Sequence, residues 1–265
     1  THNTLIIYMS QLIQSLWIGG KLSKMEHLCL KSFADNGHTV HLYTYDKVDN
    51  VPSNVIIKDG NEIVDGSKIF KYKNGSYSAF SNYFRFNLLH QKGGYWVDAD
   101  LLCVRSFKLD QPIVIAGEPD RSYKNTSPTS FMIKLPAGSE IAAEGVRVQE
   151  EHKKLILSGE MEWGSGPATI KHLVEKFDLS KHVLPWNHTC TCFYEHFTTL
   201  TTPETKEWNP QLCGDAIDKV SDLPNEMIAI HLWNERWRRM GHRYSKDKTY
   251  HKDSLYEYFK KKHNV

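Results

Sequence analysis

The sequence predicts an α/β protein built on an open, mostly parallel sheet flanked by helices. Three observations carry this: short apolar runs alternate with amphipathic stretches, helix caps separate the two, and conspicuous polar residues fall just after strand-like runs. In such sheets the ligand crevice lies beyond the carboxyl ends of the strands.

The first apolar run, Leu12 to Ile18, ends in Gly19-Gly20 and has the length and flanks of a buried strand. A helix follows. Ser23 and Glu26 have capping-box spacing, Met25, Leu28, Cys29 and Phe33 repeat at helical intervals, and Asn36-Gly37 supplies the stop. Thr39 to Tyr45, rich in β-branched and aromatic residues, reads as a second strand that delivers Tyr45-Asp46. Val55 to Lys58 reads as a third, ahead of a helical stretch around Ile63. From Ser76, Phe80, Phe84 and Leu88 recur every four residues until Gly93-Gly94 halts the helix, and a neighbouring stripe carries Ser78, Asn82, Arg85 and Leu89. Tyr95 to Leu102 reads as a short apolar strand running into two carboxylates, Asp98 and Asp100. Strands near Ile113–Ala116 and Ser130–Ile133 are next, then helices from about Ser139 and Ala168. A last strand, Met227 to His231, ends in His231-Leu232-Trp233-Asn234.

No Gly/Ser/Pro-rich stretch divides the 265 residues, so one domain over 1–265 is expected. A hydrophobic content of 40% against 24% charged excludes disorder as the dominant state. Thirty-three basic and 31 acidic side chains leave a formal charge of +2, which excludes the broad basic footprint of a nucleic-acid binder. Arg236-Trp237-Arg238-Arg239 and Lys260-Lys261-Lys262 read as solvated helix faces, with peripheral contact to acidic lipid as the other reading. No apolar run approaches the roughly 20 residues of a membrane span, and Thr1 to Ile18 lacks a signal peptide's basic head. The expected location is cytoplasmic or peripheral to a membrane, or the Golgi lumen should an anchor precede Thr1.

Five cysteines, an odd count, do not make a disulfide framework in a chain this long, and favour a reducing compartment. His188-Thr189-Cys190-Thr191-Cys192 offers soft ligands, but C-x-C in a Thr-rich segment reads as strand alternation rather than zinc. The sequons at Asn74, Asn125 and Asn187 recur by chance and carry no weight without a secretory route.

Asp98 and Asp100 are the most informative pair. On a regular strand, residues two apart project to one face, so both carboxylates can meet one hard cation or one polyol; the bland alternative is a pair of solvated turn carboxylates. The surrounding pattern decides between them. Ser81-Asn82-Tyr83-Phe84-Arg85, then Gly93-Gly94-Tyr95-Trp96-Val97-Asp98-Ala99-Asp100, resembles the sugar-binding region of DXD glycosyltransferases with a GT-A fold. The group includes Golgi α1,4-glycosyltransferases, initiating mannosyltransferases and, more distantly, large glucosylating toxins. Leu16-Trp17-Ile18-Gly19-Gly20 is similar to their first-strand segment, Ala229-Ile230-His231-Leu232-Trp233-Asn234 to their C-terminal metal and diphosphate segment, and Gly166-Pro167 to a recurrent Gly-Pro near the active site.

The resemblance implies a GT-A-like, Rossmann-like fold and a hexosyltransferase of polysaccharide biosynthesis. It would move a sugar from a nucleotide-sugar, UDP favoured, to a hydroxyl of a saccharide, lipid-linked saccharide or protein acceptor, with retention. It implies Asp98, Asp100 and Arg85 as catalytic residues, Asp100, His231 and Asp98 as ligands of Mn²⁺ or Mg²⁺, and Trp17, Tyr45, Asn82, Arg85, Asp98 and Trp233 as donor contacts. A carboxylate and imidazole set suits Mn²⁺ better than Ca²⁺. Trp17 would stack on the base. Asn82 stands where the relatives carry Asp, which retains hydrogen bonding but removes a charge and leaves donor identity open. Arg85 has a second reading as the buried partner of Asp98, and Glu118, after a strand end, is a weaker acceptor contact. Two alternatives stand beside the enzyme: a non-catalytic nucleotide-sugar-binding protein on the same fold, and a haloacid-dehalogenase-like phosphatase with a late acidic motif at Asp215 and Asp218.

Overall fold

The computed structural model describes residues 10–203 and 223–265. A six-stranded sheet is built from β1 (Leu12–Leu16), β2 (Thr39–Thr44), β3 (Ile56–Asp59), β4 (Gly94–Val97), β6 (Val114–Pro119) and β7 (Thr126–Leu135), in the order β3-β2-β1-β4-β7-β6. The first four run parallel, and β7 pairs antiparallel with both β4 and β6. Alternate residues of β4 enter opposite cores, Tyr95 and Val97 on one face of the sheet and Trp96 on the other. This is the open, mostly parallel α/β sheet that the alternation predicts.

Helices cover both faces. α1 (Lys24–Asp35) carries the expected capping box at Ser23 and Glu26 and sends Met25, Leu28 and Phe33 into the first core. α2 (Ser78–Lys92) buries Phe80, Phe84 and Leu88 in the second. Its stop is steric as well as conformational: Gly93 has φ +65°, and a Cβ there would lie 2.5 Å from the Ala137 nitrogen. α3 (Glu140–Ser158) and α4 (Ser165–Phe177) pack beside α2, while α5 (Asn234–Met240) and α6 (Leu255–Lys262) lie in the C-terminal segment.

The strand from Tyr95 runs into its two carboxylates as expected: β4 ends at Val97, Asp98 to Leu101 form a turn closed by the Leu101 N–H on the Asp98 carbonyl, and β5 (Leu101–Cys103) begins a separate ladder. Three expectations are corrected. The late strand, β8 (Ala229–His231), pairs antiparallel with β5 outside the main sheet. Around Ile63 there are two 3-10 turns, Gly60–Glu62 and Gly66–Lys68, each opened by an Asp side chain accepting from the backbone two residues on, a local bond that competes with the α-helix. Cys190 and Cys192 lie in irregular backbone, not a strand, and Cys29, Cys103, Cys190 and Cys192 are free and buried. Cys213, Asp215 and Asp218 lie outside the described residues. Among the described residues no helix is long and apolar enough to cross a membrane.

Candidate active site

The break between β4 and β5 builds the site. Because β5 pairs with β8, with Leu101 opposite His231, a segment 130 residues downstream is laid against the Asp98–Asp100 turn. The Leu232 N–H donates to the Asp100 carbonyl at 3.0 Å. Trp233 then takes a left-handed conformation, φ 59° and ψ 47°, unusual for a bulky residue and costing about 1–3 kcal/mol. The reversal aims the Asn234 N–H at Asp100 Oδ2, 2.8 Å away. His231 Nε2 stands 3.3 Å from the same oxygen, and both side chains are only 12% exposed. Burial alone would raise the Asp100 carboxyl, but the His231 charge and hydrogen bond, with the Asn234 N–H, outweigh it and hold it below the ordinary carboxylate range. Burial likewise opposes the imidazolium, and Asp100, Asp98 and Glu118 reverse that effect, raising His231.

Asp98 is held differently. Its Oδ1 accepts from Arg85 Nη2 at 2.5 Å and from the Trp96 indole at 2.7 Å, while the side chain remains 29% exposed toward the cleft. Both bonds fall on one oxygen, leaving Oδ2 on the open side. Arg85 is 2% exposed, donates from Nη1 to Asn82 Oδ1 at 2.8 Å, and lies over the Trp96 ring at 4.9 Å. Arg85 thus occupies the place its second reading describes: the guanidinium is buried behind the cleft wall and bonds Asp98 and Asn82.

These groups open into a cleft of about 670 Å³ whose walls include Trp17, Asn82, Asp98, Asp100, Glu118, His231 and Trp233. Trp17 continues from β1, packs against the first core, and has a buried Nε1 with no hydrogen-bond partner among the described residues; Lys246 Nζ stands 5.7 Å from its ring. Trp233 lies beside His231, ring centroids 4.1 Å apart. Burial raises the Glu118 carboxyl. Tyr45 is not brought to the cleft wall. Its ring packs on Phe80 and against Gly60, and its hydroxyl donates to the Val64 carbonyl, because the 3-10 turns after β3 fold over it.

Sequence reasoning passed over Tyr72 and Trp163, gave Ser165 no particular role, and read Arg236 as part of a solvated helix face. Ser165 is fully buried in the first turn of α4, accepts from Asn82 Nδ2 at 2.9 Å, and receives the Tyr72 hydroxyl at 2.7 Å. The Gly166-Pro167 pair marked this contact in the sequence: a Cβ at Gly166 would stand 2.6 Å from Asn82 Oδ1 and 2.8 Å from Ser130 Oγ. Arg236 lines the cleft beside Tyr194, with its guanidinium carbon 5.2 Å from that ring. Arg238 and Arg239 are both paired with Glu235, whereas among the described residues no carboxylate pairs with Arg236, and its buried Nε has no hydrogen-bond partner.

Among the described residues no three His, Cys, Asp or Glu side chains stand together as a preformed metal cluster. Asp100 and His231 meet, and Asp98 adds a carboxylate oxygen at the same cleft.

An open, mostly parallel sheet with helices on both faces and paired carboxylates beyond the end of a central strand is the α/β class that the sequence leads one to expect. A family model described as "Capsular polysaccharide synthesis protein" matches residues 38–144, less than half of the chain but including α2 and the Asp98–Asp100 turn. No curated protein matches the chain. Among solved structures, "PaToxG Glycosyltransferase" is similar at 15% identity over 63% of this chain and 69% of that one, with a TM-score of 0.48. The glycosyltransferase GlyE of Streptococcus pneumoniae TIGR4 is similar at 12% identity over 85% of this chain, with a TM-score of 0.47; the chain spans 55% of its length. Both are distant likenesses.

Proposed function

We propose that the chain is a metal-dependent glycosyltransferase that moves a hexosyl group from a nucleotide-sugar, UDP favoured, to a hydroxyl on a saccharide, lipid-linked saccharide or protein, with retention. One observation carries the reading: the Asp98–Asp100 turn and the His231–Asn234 segment face one cleft that Trp17 also lines. The family-model match across residues 38–144 supports it.

The donor set fits a hard divalent cation. Asp100 and the Asp98 Oδ2 offer carboxylate oxygens, and His231 Nδ1 is buried without a hydrogen-bond partner among the described residues. Asp100, His231 and Asp98 would hold Mn²⁺ or Mg²⁺, and the cation supplies Lewis-acid stabilisation of the departing diphosphate, several kcal/mol at the transition state. The chain's own residues do the rest. Arg236, which has no carboxylate partner among the described residues, would offer its guanidinium to the negative leaving group, and Arg85 holds Asp98 and Asn82 in place while remaining behind them. The acceptor hydroxyl forms its bond to the anomeric carbon on the face from which the diphosphate departs, so configuration is kept; its proton leaves with the diphosphate, and no side chain becomes a covalent nucleophile.

A panel of nucleotide-sugars incubated with and without Mn²⁺ tests this. Mn²⁺-dependent release of free nucleotide from at least one donor is the expected result. Saturable binding with no release from any donor would instead make the chain a binding module, a reading favoured by Asn82, whose amide is already engaged by Arg85 and Ser165. Hydrolysis of simple phosphoesters would make it a phosphatase. Trp17→Ala is expected to raise the Kd for UDP about tenfold, the equivalent of about 1.4 kcal/mol of lost base stacking; calorimetry showing an unchanged Kd would remove Trp17 from the donor site.

A further inference from the structure

Beyond the carboxylates the same cleft carries an aromatic surface that the donor reading does not use. Trp163, in the loop before α4, is a wall residue left 42% exposed, among the few large apolar side chains in the described residues to remain so. Its ring is backed by Tyr72, centroids 5.0 Å apart at 38°. Tyr72 is itself immobilised: it is 2% exposed, its hydroxyl donates to Ser165 Oγ at 2.7 Å, and the Ser165 N–H donates back at 2.9 Å. The Arg239 guanidinium carbon lies over the Trp163 ring, 5.3 Å from its centroid. Ser76, Tyr77 and Ser78 line the same cleft, and the Ser76 carbonyl accepts from the Tyr72 N–H at 3.0 Å. An exposed indole backed by a fixed tyrosine, with a guanidinium beside it and hydroxyl-bearing residues in the same cleft, matches a pyranose, which has an apolar C–H face and a polar rim.

The position is also informative. Contacts run without a gap from Asp98 through Arg85, Asn82, Ser165 and Tyr72 to Trp163, so the platform is mechanically tied to the reacting end of the cleft, whereas Trp17 packs on the other core. We propose that Trp163, supported by Tyr72 and flanked by Arg239, is the acceptor subsite and binds a hexopyranose ring of a saccharide acceptor by stacking. The assignment rests on the glycosyltransferase reading and deepens it, narrowing the acceptor from any hydroxyl compound to a saccharide.

The test uses the whole chain and two independent readouts. Saturation-transfer NMR with a panel of methyl hexopyranosides reports the acceptor side, and calorimetry with UDP and Mn²⁺ reports the donor side. At least one methyl hexopyranoside is expected to bind the unmodified chain. Trp163→Ala should weaken that binding at least tenfold, Trp163→Tyr should restore most of it, and the Kd for UDP should not change in either variant. Binding of no panel member, or equal binding by the Trp163→Ala chain, would overturn the subsite. Loss of UDP binding in the unmodified chain would instead count against the donor reading, and the two failures are read separately. A parallel fall in UDP affinity and melting temperature in Trp163→Ala would show the indole to be structural packing and would also overturn it.

Discussion

Asp100→Asn is expected to lower glycosyl transfer by roughly a thousandfold, the equivalent of about 4 kcal/mol of transition-state stabilisation, while the fold survives. Survival follows from geometry. An amide oxygen at position 100 can still accept the Asn234 N–H, and the backbone bond from Leu232 to the Asp100 carbonyl does not involve the side chain. What disappears is the charge beside His231 and at the expected cation position. Initial rates of transfer, with melting temperature as the control for folding, provide the check. Activity within tenfold of the unmodified chain would remove Asp100 from the metal set; a collapsed melting temperature would mean that the carboxylate holds the β5–β8 ladder rather than a ligand.

Arg85→Ala is expected to lower folding stability by about 3 kcal/mol, because it removes one partner of a largely buried pair, leaving the Asp98 carboxylate with only the Trp96 indole and the Asn82 amide oxygen without the guanidinium. The cation–π contact over Trp96 is lost with it. Lys at position 85 should not rescue stability fully, since a single ammonium cannot reproduce a planar fork that serves Asp98 from one nitrogen and Asn82 from the other. Urea denaturation measures the loss. A change below 1 kcal/mol would show that Asp98 needs no anchor, and would return Arg85 to the list of groups that act on substrate.

Both outcomes turn on a distinction between what local sequence encodes and what chain folding decides. Ser23 with Glu26, the four-residue recurrence of Phe80, Phe84 and Leu88, and the stop at Gly93-Gly94 act over one or two helical turns, so they are legible in the sequence and appear as α1 and α2. The carboxylate pair, Trp17 and His231 were legible as residue types in a pattern, and the cleft contains all of them. The helix expected around Ile63 was misread because two Asp-Gly pairs divert the backbone into Asx-opened 3-10 turns, and those turns enclose Tyr45. The separate pairing of Leu101–Cys103 with β8 was not legible, because periodicity registers an apolar stretch but not which partner each part of it will take.

Residue identity and short-range spacing, then, determined by themselves the helices, most of the strands and the chemical character of the site. Tertiary structure alone decided that β4 and β5 belong to different ladders, that β8 brings His231 to Asp100, that Arg85 lies behind Asp98, and that Trp163 shares their cleft. The physical reason is range: caps and amphipathic periods are satisfied within a few residues, whereas strand pairing and burial are settled by competition among segments from about ten to more than a hundred residues apart, for which no local pattern is written.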